Sequence, residues 1–387
     1  MNKVNILPAV LIFCLSAALF GQTKPRARDL GIPFDGETGK YNAITDVPGV
    51  EVGYSTIIRG SGKWSPGKGP VRTGVTIVLP RGKESRSSYP VGYFIFNGDG
   101  EMTGIPYVHD YGISRLAIGI TNTNSVGVVR DAIGEWNYAK FADPKDPYTF
   151  AFGLPLVGET WDGVLNDING YHVKKEHTFE AIESARSGPI AEGNVGGGTA
   201  MNCLGFKCGT GTSSRVIEIG GVKYTVGVIV QANFGTRDNL LIAGIPVGRE
   251  IKGYEPVYKS PTDGSIIAIV GTDAPLNSSK LNLVAKRVTL GLARTGSIGS
   301  SGSGDIFIAF STARGDYDEE KKLTREPSID SSFINPVFQA TVEATEEAII
   351  NAMIAAEDME GINGNKVFAI PHDQLKTVLK KYGRLNK

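Results

Sequence analysis

The chain has 387 residues, enough for one large domain or two of ordinary size with a substantial core. Its 40 basic and 40 acidic residues cancel, which removes any net-charge case for nucleic acid or an acidic membrane surface as partner. Fifty glycines fall between apolar runs with no fixed repeat, so they predict many tight turns in a globular chain, not a fibrous or disordered one.

The first residues read as an export signal. Asn2 and Lys3 form a short basic start, Ile6 to Phe20 is mostly apolar, and Gly21 supplies a small residue near a cleavage point. The run is too short for a comfortable membrane span. Residues 1–21 are therefore expected to be removed, leaving no stable membrane anchor and a periplasmic or secreted protein. Cys14 lies in that run behind the bulky Phe13, which argues against lipid attachment. Of the remaining thiols, Cys203 and Cys208 fit either a disulfide or a reduced pair.

Residues 23–48 are polar and proline-rich and predict an extended entry segment. Strands are expected at 50–58, 74–79 and 91–96, with an exposed glycine-rich loop at 60–70. Another strand spans 116–121, and a helix spans 126–138 with Asp131 and Glu135 on one face. Residues 157–163, Val-Gly-Glu-Thr-Trp-Asp-Gly, read equally well as a solvent-facing turn. A helix over 178–187 would take Thr178 as its cap and end before Pro189. The glycine cluster at 193–199 lacks the Lys-Ser or Lys-Thr pair of a Walker motif, so close backbone packing is its expected purpose.

A long strand over 222–234 ends in Gln231-Ala232-Asn233-Phe234-Gly235, a good place to hold an amide rigidly. Further on come a strand at 266–270, a helix at 281–293 and a loop at 296–304 feeding a strand at 306–311. A charged loop at 319–326, a long helix over 335–359 and a short exposed helix after His372 complete the chain. Several strands are apolar throughout, which requires cover on both faces. In an α/β chain, two stacked sheets with helices outside would provide that cover, and so would one large open sheet.

The chemistry narrows by elimination. With four histidines, no His-Glu-x-x-His pair and no Cys/His cluster, the sequence predicts neither a metal site nor another cofactor. Gly302-Ser303-Gly304 runs from loop to strand, the wrong order for a nucleophile elbow. His172 and His177 lie in a polar stretch and read as surface residues. At Gly264-Ser265 the hydroxyl can approach the carbonyl behind it, and a residue without a Cβ tolerates the strained backbone this requires. Attack would turn the peptide into an ester that water opens, leaving Ser265 as an N-terminal nucleophile with a free α-amine. A turn feeding a strand is the plain alternative, and local sequence by itself favours it, since Gly-Ser before an apolar run is common punctuation.

Residues 194–199 (Asn-Val-Gly-Gly-Gly-Thr), 232–235 (Ala-Asn-Phe-Gly), 263–267 (Asp-Gly-Ser-Ile-Ile), 291–296 (Gly-Leu-Ala-Arg-Thr-Gly) and 302–305 (Gly-Ser-Gly-Asp) together resemble the DmpA family of aminopeptidases. That family includes L-aminopeptidase/D-amidase/esterases and β-aminopeptidases, and the likeness runs from about residue 31 to 364. The resemblance implies a four-layer α/β/β/α sandwich of N-terminal-nucleophile (Ntn) hydrolase type. It also implies self-cleavage into an α subunit (22–264) and a β subunit (265–387) that stay together, commonly as a homo-oligomer, a tetramer of αβ units.

Carried over by position, Ser265 is the nucleophile, Ser303 and Asp305 are its supporting serine and acid, and Asn233 stabilises the oxyanion. Glu159 receives the free amine of a short peptide or amino acid amide. Trp161 departs from the pattern, since a tyrosine commonly stands there; indole donates but cannot accept. The freed α-amine of Ser265 competes with the Ser303 hydroxyl for the role of general base. Two rival readings are an acyltransferase of the ornithine acetyltransferase type and an exported binding protein with altered chemistry.

Overall fold

Along residues 265–272 the side chains alternate between two different apolar cores. Ile266, Ala268 and Val270 enter one, while Ile267 and Ile269 enter the other, and all five are buried. Strand geometry sends successive side chains to opposite faces, so a strand apolar at every position must be covered on both.

The computed structural model describes residues 24–146, 154–258, 264–318, 321–325 and 327–385. The expected signal at 1–21 lies outside the described residues, as do Thr262 and Asp263 before the Gly264-Ser265 junction. Among the described residues no helix is long and apolar enough to cross a membrane. The chain runs β1 (Glu51–Arg59), β2 (Val71–Leu79), β3 (Tyr89–Gly98), α1 (Ile105–Tyr111), β4 (Ile113–Ser114), β5 (Ile118–Asn122), α2 (Val126–Phe141), β6 (Leu156–Thr160) and α3 (Lys175–Glu183). It continues through β7 (Asn202–Cys203), β8 (Phe206–Lys207), β9 (Thr210–Ile219), β10 (Val222–Asn233), α4 (Val247–Glu250), β11 (Ser265–Thr272), α5 (Ser278–Arg294) and β12 (Gly304–Ser311). The last part holds β13 (Asp316–Asp318), β14 (Leu323–Arg325), α6 (Asn335–Ile354), β15 (Met359–Glu360), β16 (Lys366–Val367) and α7 (His372–Lys381).

Two sheets carry the fold. One has four strands in the order β1-β2-β5-β6, the other six in the order β4-β3-β12-β11-β10-β9. Helices α5 and α6 cover the outer face of the six-stranded sheet, where Val284, Val288, Ala344 and Ala348 pack on Val226, Val228 and Ala268. Helices α2 and α3 cover the other sheet, with Val129, Ile133 and Ile182 on Val75, Ile77 and Val157. Between the sheets Ile229, Ile267, Ile269, Ile306 and Ile308 meet Val52, Val78, Ile118, Ile120 and Leu156. The result is an α/β/β/α sandwich, and the single open sheet is excluded.

Several local expectations are corrected. Residues 157–163 are not a surface turn: 156–160 form β6, buried at every position. Helix α3 begins at Lys175, so Thr178 is an interior buried residue and not its cap. The terminal helix is not wholly exposed, because Leu375 and Leu379 are fully buried. Around 319–326 the chain forms the paired strands β13 and β14, while 319, 320 and 326 lie outside the described residues. His172 is buried, with Nε2 2.9 Å from Asp167 Oδ2.

The entry segment is also less extended than expected: it makes single turns at Arg28–Leu30 and Ile44–Asp46 and is tied to α6 through charge. Glu347, fully buried, receives two hydrogen bonds from Arg28 (2.8 and 2.9 Å), one from Arg215 (2.8 Å) and one from Asn42 (2.6 Å). Burial pushes its carboxyl up, but the two guanidinium groups outweigh that and hold it below the ordinary value. A Glu347→Gln change leaves the buried Arg215 short of its counter-charge. It is expected to lower unfolding free energy by about 3–5 kcal/mol, read as a shifted urea midpoint.

Candidate active site

Strand register assembles the site before any side chain is considered. In the β10/β11 pair Asn233 stands opposite Ser265, in the parallel β11/β12 pair Ile266 stands beside Asp305, and in the β12/β3 pair Asp305 faces Asn97. The end of β10, the start of β11, the start of β12 and the end of β3 therefore meet at one end of the six-stranded sheet, across its four inner strands. A register shift between Asp305 and Ile306 marks an irregularity there, a common way to re-aim side chains beside a site.

Ser265 is buried and its Oγ accepts the backbone N–H of Gly304 at 3.1 Å. On the next strand Ser303 Oγ donates to Asp305 Oδ1 at 2.6 Å, and Asn97 Nδ2 donates to Asp305 Oδ2 at 3.0 Å. Burial pushes the Asp305 carboxyl above the usual range, while Ser303, Asn97 and the Ile266 N–H pull it part of the way back. Ser303 and Gly264 line the same small cleft together with Phe234, Thr236 and Ile298.

Gly264 has a reason to be glycine in its immediate surroundings. A Cβ here would sit 1.7 Å from the carbonyl oxygen of Asn233 and 3.0 Å from Phe234 Cα. The peptide bond before Ser265 thus lies directly on the end of β10, where no side chain fits.

The Asn233 amide is held from both sides. Its Oδ1 accepts the Asn202 N–H at 3.0 Å, and its Nδ2 donates to the Trp161 carbonyl at 2.9 Å. A backbone donor on one side and a backbone acceptor on the other allow only one orientation of the amide. Trp161 therefore meets Asn233 through its backbone, while its indole is exposed and stacks so closely over Gly163 that a Cβ there would lie 2.3 Å from the ring.

Glu159 arrives from the other sheet, at the end of β6. Its Oε1 accepts the Glu101 N–H at 3.0 Å and its Oε2 accepts the Thr123 hydroxyl. Gly100 brings the two sheets together at this point: a Cβ on it would lie 3.0 Å from Gly304 Cα and 3.1 Å from Glu159 Oε1. The carboxylate is thus one glycine's thickness from the turn that donates to Ser265. Burial raises the Glu159 carboxyl above its ordinary value, and the nearby charges of Glu101 and Asp99 raise it further against the pull of its hydrogen bonds.

The site residues singled out by sequence come together at this end of the sheet, Trp161 through its backbone carbonyl. Asn97 and Gly100 were missed, although Asn97 directly follows a predicted strand, much as Asn233 stands near the end of another. The open question of the thiols is answered by a Cys203–Cys208 disulfide. The glycine cluster at 193–199 packs as expected, with Gly197 against the Ile120 carbonyl and Gly198 against Thr210.

A two-sheet sandwich with a serine hydroxyl at the first residue of a central strand, an adjoining hydroxyl–carboxylate pair and a second buried carboxylate defines a serine hydrolase of the Ntn class. The model of Peptidase family S58 matches residues 42–367, and the chain belongs to that family. It is 50% identical over 392 residues to the β-peptidyl aminopeptidase BapA of Sphingosinicella microcystinivorans, covering 98% of both chains. It is 44% identical over 395 residues to BapA of Sphingosinicella xenopeptidilytica, covering 98% of this chain and 96% of that protein.

Among solved structures, the L-aminopeptidase D-Ala-esterase/amidase of Ochrobactrum anthropi, described as a variant of the Ntn hydrolase fold, superposes with a TM-score of 0.86. It shares 44% identity, over 94% of this chain and 100% of that one. The chain is accordingly a hydrolase, an aminopeptidase/amidase with the Ntn fold.

Proposed function

We propose that the chain is made as a precursor that cuts itself between Gly264 and Ser265, giving an α subunit ending at Gly264 and a β subunit beginning at Ser265. The mature enzyme then removes N-terminal residues from short peptides, amides or esters. The observation that carries this reading is the register that sets Asn233, Ser265 and Asp305 side by side on three adjacent strands.

Ser265 Oγ attacks the substrate carbonyl carbon and passes its proton towards the Ser303–Asp305 pair or the new α-amine. The amine of the scissile amide leaves with a proton, and water then opens the ester on Ser265 to release the acid. The Gly304 N–H supports the Oγ as it becomes an alkoxide. With one N–H of Asn233 Nδ2 on the Trp161 carbonyl, the other is the donor assigned to the developing oxyanion. Glu159, with Asp99 and Glu101 close by, gives this side of the site a negative field suited to an ammonium group. The likeness to two proteins named β-peptidyl aminopeptidases favours an N-terminal β-amino acid as the released residue. Export by residues 1–21 and assembly as a homo-oligomer of αβ units complete the proposal, supported by the amino-terminal pattern and the family resemblance.

The test is a panel of L-, D- and β-amino acid amides, each with a free and an acetylated amine. Only free amines should be cleaved, with β-amino acid amides preferred. Protonated Glu159 cannot pair with ammonium, so kcat/KM should fall as pH drops through a value above the ordinary carboxylate range. Bound ammonium holds Glu159 ionised, so the loss should appear first in KM. Equal turnover of acetylated substrates would defeat the assignment.

A further inference from the structure

The oxyanion amide is held by a loop whose construction exceeds what a connector between strands requires. Asn202, which donates to Asn233 Oδ1, begins the β7/β8 hairpin, in which Asn202 pairs with Lys207 and Cys203 with Phe206. The hairpin is closed by the Cys203–Cys208 disulfide and by the Cys208 N–H on the Met201 carbonyl at 3.0 Å. A third closure comes from Lys207. Its side chain is fully buried and Nζ donates to the carbonyls of Met201 (2.8 Å) and Cys208 (2.7 Å), the two ends of the same loop. Burial pulls the Lys207 ammonium well below its usual value, so the clamp stands at a desolvation cost.

The loop is then pinned to the strand end it serves. Leu204 donates its N–H to the Phe234 carbonyl at 2.7 Å, and its side chain packs where a Cβ on Gly235 would lie, 2.7 Å from Leu204 Cδ2. To reach that position Leu204 adopts a φ of 51°, a left-handed conformation that a leucine keeps only when its surroundings impose it. Disulfide stabilisation through the unfolded chain grows with the length of the loop closed. A bridge across a sequence separation of 5 therefore adds less by that route than one closing a long loop, and it also fixes local geometry.

We infer that the closed loop Met201–Cys208 is a positioning device for the reaction: the Cys203–Cys208 bridge and the Lys207 clamp hold the Asn202 N–H where it orients the Asn233 amide towards the oxyanion. This rests on the reading of Asn233 given above. The bridge and Lys207 touch no substrate and act only through Asn233.

The experiment is a double-mutant cycle on processed enzyme, with kcat expressed per site counted by a serine-reactive acylating probe. The Cys203→Ala/Cys208→Ala variant is compared with the parent, and both are then combined with Asn233→Ala. If the cysteine variant gives no soluble processed enzyme, Lys207→Gln, which keeps the bridge, takes its place in the cycle. The expected result is a fall of about tenfold or more in kcat per site, with KM for a small amide unchanged, and no further fall in the Asn233→Ala background. A structural role alone would reduce the number of titratable sites and leave kcat per site intact, and that result overturns the inference. So does a fall that persists undiminished in the Asn233→Ala background. If Asn233→Ala alone keeps full kcat, the oxyanion reading fails, and the inference falls with it.

Discussion

A Ser265→Ala chain is expected to stay in one piece on a denaturing gel, whereas the parent yields a fragment that begins at Ser265 and ends at Lys387. The alanine chain should also lose hydrolysis of amino acid amides by a factor on the order of 10⁶, the scale seen when a serine hydrolase loses its nucleophile. The change removes one oxygen whose recorded partner is the Gly304 N–H. It leaves the β10/β11 and β11/β12 pairings and the buried Ile266 to Val270 core untouched, so the fold has no reason to fail. An unchanged circular dichroism spectrum would separate lost chemistry from lost structure. Cleavage of the alanine chain at the same bond would assign the cut to another protease, and a parent that is active while uncut would end the self-processing account.

How much of this was readable beforehand depends on what each residue is bonded to. The central strands declared themselves because burial on both faces leaves an unbroken apolar run, as in Ile266 to Val270, and that is a property of neighbouring residues in sequence. β6 did not, because Gly158 and Glu159 break the run: the glycine admits Met102, bridged beside it, and Ile267 from the facing sheet, and the acid is satisfied by Thr123 and Glu101. A buried carboxylate looks polar in sequence and is explained only by partners far along the chain. Arg28, Arg215 and Glu347 were unreadable for the same reason.

The site divides in the same way. The Gly264-Ser265 junction and the Ser303/Asp305 spacing are local, so motif resemblance carried them. Local sequence could not show what stands beside that junction, and the register supplies it, since Asn233 and Ser265 are opposed across a strand pair. Asn97 comes in through the β3/β12 pairing, which no local pattern announces. A glycine suggests conformational freedom when read alone, and the end of β10 lying against Gly264 adds a requirement of space that no local pattern announces.

Asp305→Asn is expected to cost about 10²- to 10⁴-fold in kcat, the range associated with losing a positioned acid–base partner, and to slow self-cleavage in the same direction. The argument turns on hydrogen-bond polarity. The carboxylate accepts on both oxygens, from Ser303 Oγ at 2.6 Å and from Asn97 Nδ2 at 3.0 Å, and takes the Ile266 N–H as well. An asparagine has one accepting end. If it faces Asn97, its amide donates to Ser303 and turns that hydroxyl from a donor into an acceptor, which leaves it badly placed to receive the Ser265 proton. If it faces Ser303, two amide N–H groups confront each other at Asn97.

Either arrangement spoils the pair while changing side-chain volume little, so the stability loss should be small beside the catalytic one. The parent makes the same point by titration. With the Asp305 carboxyl held above the usual range, protonation should remove its acceptor as pH falls through that raised value, giving kcat an acid limb that the asparagine variant lacks. Rate measurements on pre-cleaved enzyme across that range check it, and a variant that kept both the parent's kcat and its acid limb would show that Asp305 has no part in the proton path.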